Sequence, residues 1–82
     1  MHLEILTPDT KVYSGEVTIV NFPGSAGLFE VLNNHAPFIS TLDKGVIKIT
    51  GAEGVQNVTV DGGLVEVLNN NIIVLAEGAV KG

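Results

Sequence analysis

Few side chains in this 82-residue sequence could do bond chemistry, and they lie far apart. The chain has two histidines, His2 and His35, and no cysteine, which excludes disulfides, a thiol nucleophile and a cysteine zinc site. A catalytic imidazole needs an orienting carboxylate, and none lies near His35 in sequence. We therefore expect the His35 ring to bond a backbone carbonyl in a turn. The acidic residues are isolated near turns, so we predict no metal site.

The segment Gly24-Ser25-Ala26-Gly27 has the glycine content of a phosphate-binding loop but lacks its other parts. There is no Lys-Ser/Thr ending and no following helix to receive a phosphate. Ser25 also lacks the Gly-x-Ser-x-Gly context of a hydrolase nucleophile. We therefore predict no catalytic residue, no cofactor and no small-molecule ligand, and expect that the protein is not itself an enzyme.

Lys44 is the one side chain that suggests a chemical alternative. Asp43-Lys44-Gly45 has the composition of a hairpin turn, and such a turn would present an exposed amine. An Asp-Lys pair at a hairpin tip in a small acidic β domain resembles the lipoyl or biotinyl carrier domains, in which that lysine is acylated. The competing interpretation is an ordinary solvated turn lysine. An acyl carrier modified on Lys44 therefore stays open as a second function.

Composition predicts one domain over residues 1–82, with a modest core. The hydrophobic fraction is 45% but aromatics are only 5%, so Val, Ile and Leu must fill that core. The net charge of −5, with four lysines and no arginine, argues against nucleic acid or anionic lipid as a direct partner. No apolar run approaches the ~20 residues of a membrane span. Strand-like sequence follows Met1 at once, so we expect no signal or transit peptide.

The hydrophobic pattern is that of short strands separated by Gly, Asn and Pro turns, with no helical periodicity. It predicts an all-β flattened sandwich or barrel of roughly eight to ten short strands. The expected strands cover residues 2–7, 12–13, 16–22, 28–32, 38–42, 46–50, 55–60, 64–68 and 72–76.

Two local features of this pattern carry further expectations. In the strand over 16–22, Val20 and Phe22 fall on the face opposite Val17 and Ile19, which predicts a bulge or a second buried surface. Asn69-Asn70-Asn71 predicts a tight turn, because asparagine tolerates the left-handed backbone region.

An ordered set of motifs covers nearly the whole chain. In chain order they are Leu3-Glu4-Ile5-Leu6-Thr7-Pro8, Val12-Tyr13-Ser14-Gly15-Glu16-Val17, Pro23-Gly24-Ser25-Ala26-Gly27, His35-Ala36-Pro37, Gly45-Val46-Ile47-Lys48-Ile49, Gly62-Gly63-Leu64-Val65-Glu66-Val67 and Ile73-Val74-Leu75-Ala76. Together they resemble the amino-terminal β domain of the epsilon subunit of F-type ATP synthase, called delta in mitochondria. Members of that family commonly continue into a pair of α-helices, and these 82 residues contain no helical carboxy-terminal domain.

The resemblance implies a non-catalytic subunit of the central rotor stalk. Such a subunit couples the ion-driven rotation of the c-ring, through the gamma subunit, to ATP synthesis in the F1 head. It would lie at the cytoplasmic face of the bacterial plasma membrane as a peripheral part of F1. The implied partners are the gamma subunit and the c-ring, with no direct membrane insertion.

The implied contacts can be placed on this sequence as two sets. The c-ring contact candidates are Leu28, Phe29, Glu30, Asn33, Asn34 and His35. The gamma contact candidates, taken as outward-facing apolar positions, are Val20, Phe22, Leu64 and Leu68. This chain departs from the family at Leu28, where an acidic residue is common, at Glu30, where glycine is usual, and at Asn33-Asn34, where Pro-Gly is usual. We expect these departures to leave the fold alone and to change the contacts.

Overall fold

The computed structural model describes residues 1–82 and consists of ten β-strands without a helix. The strands are β1 His2–Leu6, β2 Lys11–Glu16, β3 Ile19–Gly24, β4 Gly27–Leu32, β5 Phe38–Leu42, β6 Gly45–Gly51, β7 Gly54–Val60, β8 Gly63–Leu68, β9 Asn71–Ala76 and β10 Ala79–Lys81. The all-β prediction is confirmed. The structure holds no helix of the length and hydrophobicity that a membrane crossing requires.

The strands form two packed layers. The β3 layer has the order β10-β7-β6-β3-β4, and the β8 layer has the order β5-β8-β9-β1-β2. All neighbours are antiparallel except β1 and β9. The layers join through the backbone at one corner, where Gly24 pairs with Leu42 and Ser25 N donates to Thr41 O (3.0 Å). At the other end of the path, Lys81 Nζ of β10 lies 5.8 Å from the ring centroid of Tyr13 on β2, so the sandwich is nearly closed into a flattened barrel.

The core lies between the layers and holds 16 buried hydrophobic residues and no buried polar side chain. Both layers contribute through alternating positions, such as Leu3 and Ile5 on β1 and Val58 and Val60 on β7. Phe22 is the only aromatic residue among the 16. The expectation that Val, Ile and Leu fill the core is therefore confirmed.

The predicted strand over 16–22 is wrong at its start. β2 runs without interruption through Ser14 and Gly15, and the chain leaves strand geometry only at Val17 and Thr18. There Val17 N donates to Met1 O (2.8 Å) and Thr18 N donates to Thr50 O (2.8 Å). Val17 and Val20 lie three residues apart and are both buried, so the alternation changes phase at this break.

This break corrects two of the gamma contact candidates. Val20 and Phe22 are buried in the core rather than facing outward. Their outer-face neighbours on β3 are Ile19 and Asn21, which are partly exposed. Val20 and Phe22 are therefore removed from the candidate contacts.

Two further expectations about the chain path are wrong. Asp43-Lys44-Gly45 does not close a hairpin, because β5 pairs with β8 and β3 whereas β6 pairs with β3 and β7. The segment crosses between the layers, and Asp43 N donates to Pro23 O (2.8 Å).

Ile72–Ala76 is not the last strand, because β10 follows it. The three residues of β10 are too few to show a hydrophobic alternation in the sequence.

The turn prediction at Asn69 and Asn70 is confirmed. Both residues have positive φ, 51° and 62°, and together they join β8 to β9 in a tight hairpin.

Two valines of β7 test the position of the core. We expect Val58→Ala to lower the free energy of unfolding by about 2–3 kcal/mol, because it removes two buried carbon atoms and leaves a cavity. Val55→Ala is the matched control, since Val55 is 56% exposed and its loss should cost less than about 0.5 kcal/mol. Urea unfolding of both variants measures this difference, and equal losses would contradict the assigned core.

Candidate functional site

The β3–β4 hairpin presents the first group of candidate contact residues. Gly24 pairs with Gly27 across a turn at Ser25 and Ala26, and Gly27 has φ 130°. Along β4, Val31 is buried and Phe29 half-buried, so Leu28 and Glu30 point to the outside. Leu28 is 89% exposed, the largest fraction among the exposed large hydrophobic residues. This leucine offers apolar area at the hairpin end that a docking partner would bury favourably.

Phe29 lies on the inner side of β4, unlike Leu28 and Glu30. Its ring stacks on Phe22 with centroids 5.2 Å apart and meets Phe38 edge-on at 5.1 Å. The His35 ring lies 5.9 Å from the same Phe38 ring. Aromatic pairs in such offset and edge-on arrangements add to the stability of their packing. Phe29 therefore supports the hairpin from within, which the sequence did not distinguish from a direct contact.

Glu30 is held in place by its neighbour on β3. Asn21 Nδ2 donates to Glu30 Oε2 over 2.9 Å, and Asn21 is in register with both Glu30 and Lys48. These three polar residues form a row across β4, β3 and β6. Beside the row lies a shallow recess of ≈ 580 Å³, lined in part by Leu28 and Val46. The surface combines a fixed carboxylate, an amide, a cation and apolar side chains across three neighbouring strands.

The turn after β4 carries the remaining candidates, at the opposite end of that strand from Leu28. Asn34 has φ 63°, and its N–H donates to Asn70 Oδ1 over 2.8 Å. His35 N donates to Leu32 O (3.2 Å), and His35 Nδ1 lies 2.7 Å from Ala36 O. The expectation that the His35 ring bonds a backbone carbonyl is confirmed. We name Leu28, Glu30, Asn33, Asn34 and His35, which follow one another along β4 and the turn at its end, the end surface.

The outer face of the β8 layer is a second, apolar surface. Register across β5, β8 and β9 places Glu66 between Ile39 and Ile73, and Leu64 beside Leu75. Ile39 is 62% exposed and Leu75 52% exposed, whereas Leu64 is half-buried. We name Ile39, Leu64, Leu68, Ile73 and Leu75, which surround the exposed Glu66, the apolar face. Sequence reasoning found Leu64 and Leu68 but missed the other three, although strand 72–76 is apolar at every position and so must leave some apolar side chains outside.

A charged cluster borders the apolar face on β1 and β2. His2 Nδ1 lies 2.8 Å from Glu16 Oε2, and Lys11 Nζ donates to Glu4 Oε2 over 3.3 Å. The hydrogen bond and charge of Lys11 lower the pKa of Glu4 from its ordinary value of 4.5, with a smaller effect of His2 in the same direction. No group of three or more His, Cys, Asp or Glu residues is arranged to hold a metal ion.

The comparisons with known proteins agree with this architecture. The family model described as "ATP synthase, Delta/Epsilon chain, beta-sandwich domain" matches residues 1–82. The chain belongs to this family. The resemblance inferred from the motifs is therefore confirmed.

Curated relatives carry the name ATP synthase epsilon chain. That of Leptospira borgpetersenii serovar Hardjo-bovis is 39% identical over 82 residues, which cover 99% of this chain and 65% of the relative. That of Sulfurimonas denitrificans is 44% identical over 81 residues, which cover 98% of this chain and 62% of the relative. The chain thus spans somewhat less than two thirds of the length of these relatives.

Two solved structures share the fold. A chain of the Euglena gracilis mitochondrial ATP synthase (OSCP/F1/c-ring) superposes with a TM-score of 0.89 at 18% identity, over 96% of this chain and 51% of that chain. A chain of the Tetrahymena thermophila mitochondrial ATP synthase (central stalk and c-ring) superposes with a TM-score of 0.83 at 16% identity. The match covers 96% of this chain and 64% of that chain. At these identities the likeness concerns the fold.

The ion pair on β1 and β2 yields a prediction about pH. We expect Lys11→Met to raise the pKa of Glu4 toward 4.5, because the main cause of the lowering is removed. In the parent protein the pKa of Glu4 is lower in the folded state than in the unfolded state. The ion pair therefore stabilises the fold at pH values above the ordinary glutamate pKa. That contribution is lost as the pH falls through the lowered folded value.

An NMR titration of the Glu4 side-chain carboxyl carbon measures this shift. Lys48→Met is the matched control, because Lys48 lies on β6 in the other layer. A Glu4 pKa that is the same in Lys11→Met as in Lys48→Met would contradict the assigned pair.

Proposed function

We propose that this chain is a non-catalytic rotor subunit of an F-type ATP synthase, placed in the central stalk. It transmits ion-driven rotation of the c-ring, through the gamma subunit, to the catalytic F1 head. The observation that carries the proposal is the family match over residues 1–82, since it covers every strand of the sandwich.

The fold suits a part that transmits force and does no bond chemistry. The core contains only apolar side chains, packed between two layers with no buried polar group left over. Close-packed interiors deform little under load. The charged and nucleophilic side chains lie on outer faces rather than converging in an enclosed site, so the activity we assign is mechanical coupling.

A rotor subunit between two partners needs two docking surfaces, and the chain offers two of different chemistry. We assign the end surface to the polar loops of the c-ring, because it mixes one exposed leucine with a carboxylate, two amides and an imidazole. We assign the apolar face to gamma, because a standard interface of about 800 Å² per partner needs a broad apolar centre. The chain would act at the cytoplasmic face of the bacterial plasma membrane, as a peripheral part of F1.

The carrier alternative loses its structural basis. It required Lys44 at the tip of a protruding hairpin, whereas Lys44 lies in a link between the two layers. The family match also points away from acyl carriers.

Substitutions on the two surfaces test the assignment. We expect Leu28→Asp to weaken binding to isolated c-rings by at least about tenfold while leaving the complex with gamma intact, because it adds an unpaired charge at the end surface. We expect Leu75→Asp to weaken binding to gamma and to leave binding to c-rings intact. Val55→Asp is the control, since Val55 is 56% exposed, close to the 52% of Leu75, and lies on neither surface.

The measurement is co-purification with gamma and with c-rings, together with thermal unfolding to show that each variant folds. Failure of the parent chain to bind either partner would overturn the proposed function. The division between the two surfaces would be overturned if one folded variant lost binding to both partners, or if neither Leu28→Asp nor Leu75→Asp lost binding to any partner.

A further inference from the structure

Two asparagine turns meet at the end of the sandwich. The turn after β4 contains Asn34, and the turn between β8 and β9 contains Asn69 and Asn70; all three residues have positive φ. Asn70 holds two neighbouring segments at once. Its side-chain Oδ1 accepts the hydrogen bond from Asn34 N (2.8 Å), and its main-chain O accepts one from His2 N (3.1 Å).

The residue type at position 70 is informative. A two-residue hairpin turn with positive φ at both positions favours glycine at the second, because glycine adopts that backbone without steric cost. This chain has asparagine there instead. Asn69 shares the same backbone region, yet its side chain makes no hydrogen bond, and only its main-chain O is used, by Asn71 Nδ2 (3.0 Å). The Asn70 amide therefore has a contact that the turn itself does not require.

We propose that Asn70 is a positioning residue that fixes the Asn33–His35 turn for docking. This rests on the proposed function, in which that turn belongs to the end surface. The Asn34 N–H is anchored from outside its own turn, and His35 N bonds back to Leu32 O within it. A turn ordered before binding loses less conformational freedom on binding. Because β8 and β9 carry the apolar face, the same hydrogen bond also links the two docking surfaces.

Three variants separate this role from simple turn formation. Asn70→Gly keeps the turn backbone and removes the acceptor, and Asn70→Asp keeps an acceptor at the same place. Asn69→Gly makes the same chemical change one residue earlier, where no side-chain contact exists. Gly is the preferred residue for this turn, so Asn70→Gly should fold with an unfolding temperature close to that of Asn69→Gly.

Amide hydrogen exchange of Asn34, followed by NMR, is the first measurement. We expect exchange about fivefold faster in Asn70→Gly than in the parent, as the loss of one ordinary hydrogen bond implies. Asn70→Asp and Asn69→Gly should exchange as the parent does. Equal exchange in Asn70→Gly and Asn69→Gly would overturn the contact itself.

Binding of the same three variants to isolated c-rings is the second measurement. Weaker binding by Asn70→Gly alone, with Asn70→Asp restored to the parent affinity, supports the positioning role. Parent-like ring binding by Asn70→Gly, despite faster Asn34 exchange, would overturn it. Absence of ring binding by the parent chain would instead overturn the proposed function, and the exchange measurement would still decide the Asn34–Asn70 contact.

Discussion

The structure depends on the packing of two sheet layers against one shared core. Strands of the two layers pair through the backbone only around Gly24 and Leu42, so backbone hydrogen bonds contribute little to holding the layers together. Burial of apolar side chains such as Ile47, Ile72 and Val74 must do so, and this is the main favourable term in folding. This packing requires apolar side chains on the inner face of both layers. The outer faces and the ends stay free to meet partners.

The freedom of the outer surfaces explains how one small fold can have two docking surfaces. The β8 layer keeps exposed aliphatic side chains on its outer face, whereas the end surface carries a carboxylate, amides and an imidazole along β4 and the turn after it. Turns built on left-handed asparagines, at Asn34, Asn69 and Asn70, shape one end of the sandwich without adding to the core. The core therefore supplies stiffness, and the turns supply the contour that a partner meets.

Much of the fold follows from simple alternation. Leu3 and Ile5, and Val58 and Val60, are spaced by two residues within uninterrupted strands, so their burial could be predicted. Alternation fails where the chain breaks phase without a glycine or proline to mark the place. Val17 and Thr18 form such a break, and for that reason the outward placement of Val20 and Phe22 was wrong. It also fails where both faces of a strand are apolar, because period alone then cannot tell Ile72 from Ile73.

The candidate site was less predictable than the fold. The sequence identified the hairpin and turn that form the end surface, but the inward orientation of Phe29 depends on partners, Phe22 and Phe38, that only folding brings near. The contact between Asn34 and Asn70 joins residues 36 apart, beyond any local pattern. The central claim, two surfaces with two different partners, is tested most directly by photo-crosslinking from positions 28 and 75 in the assembled enzyme. The account predicts adducts of position 28 with the c-ring subunit and of position 75 with gamma. Exchanged partners, or one partner for both positions, would contradict it.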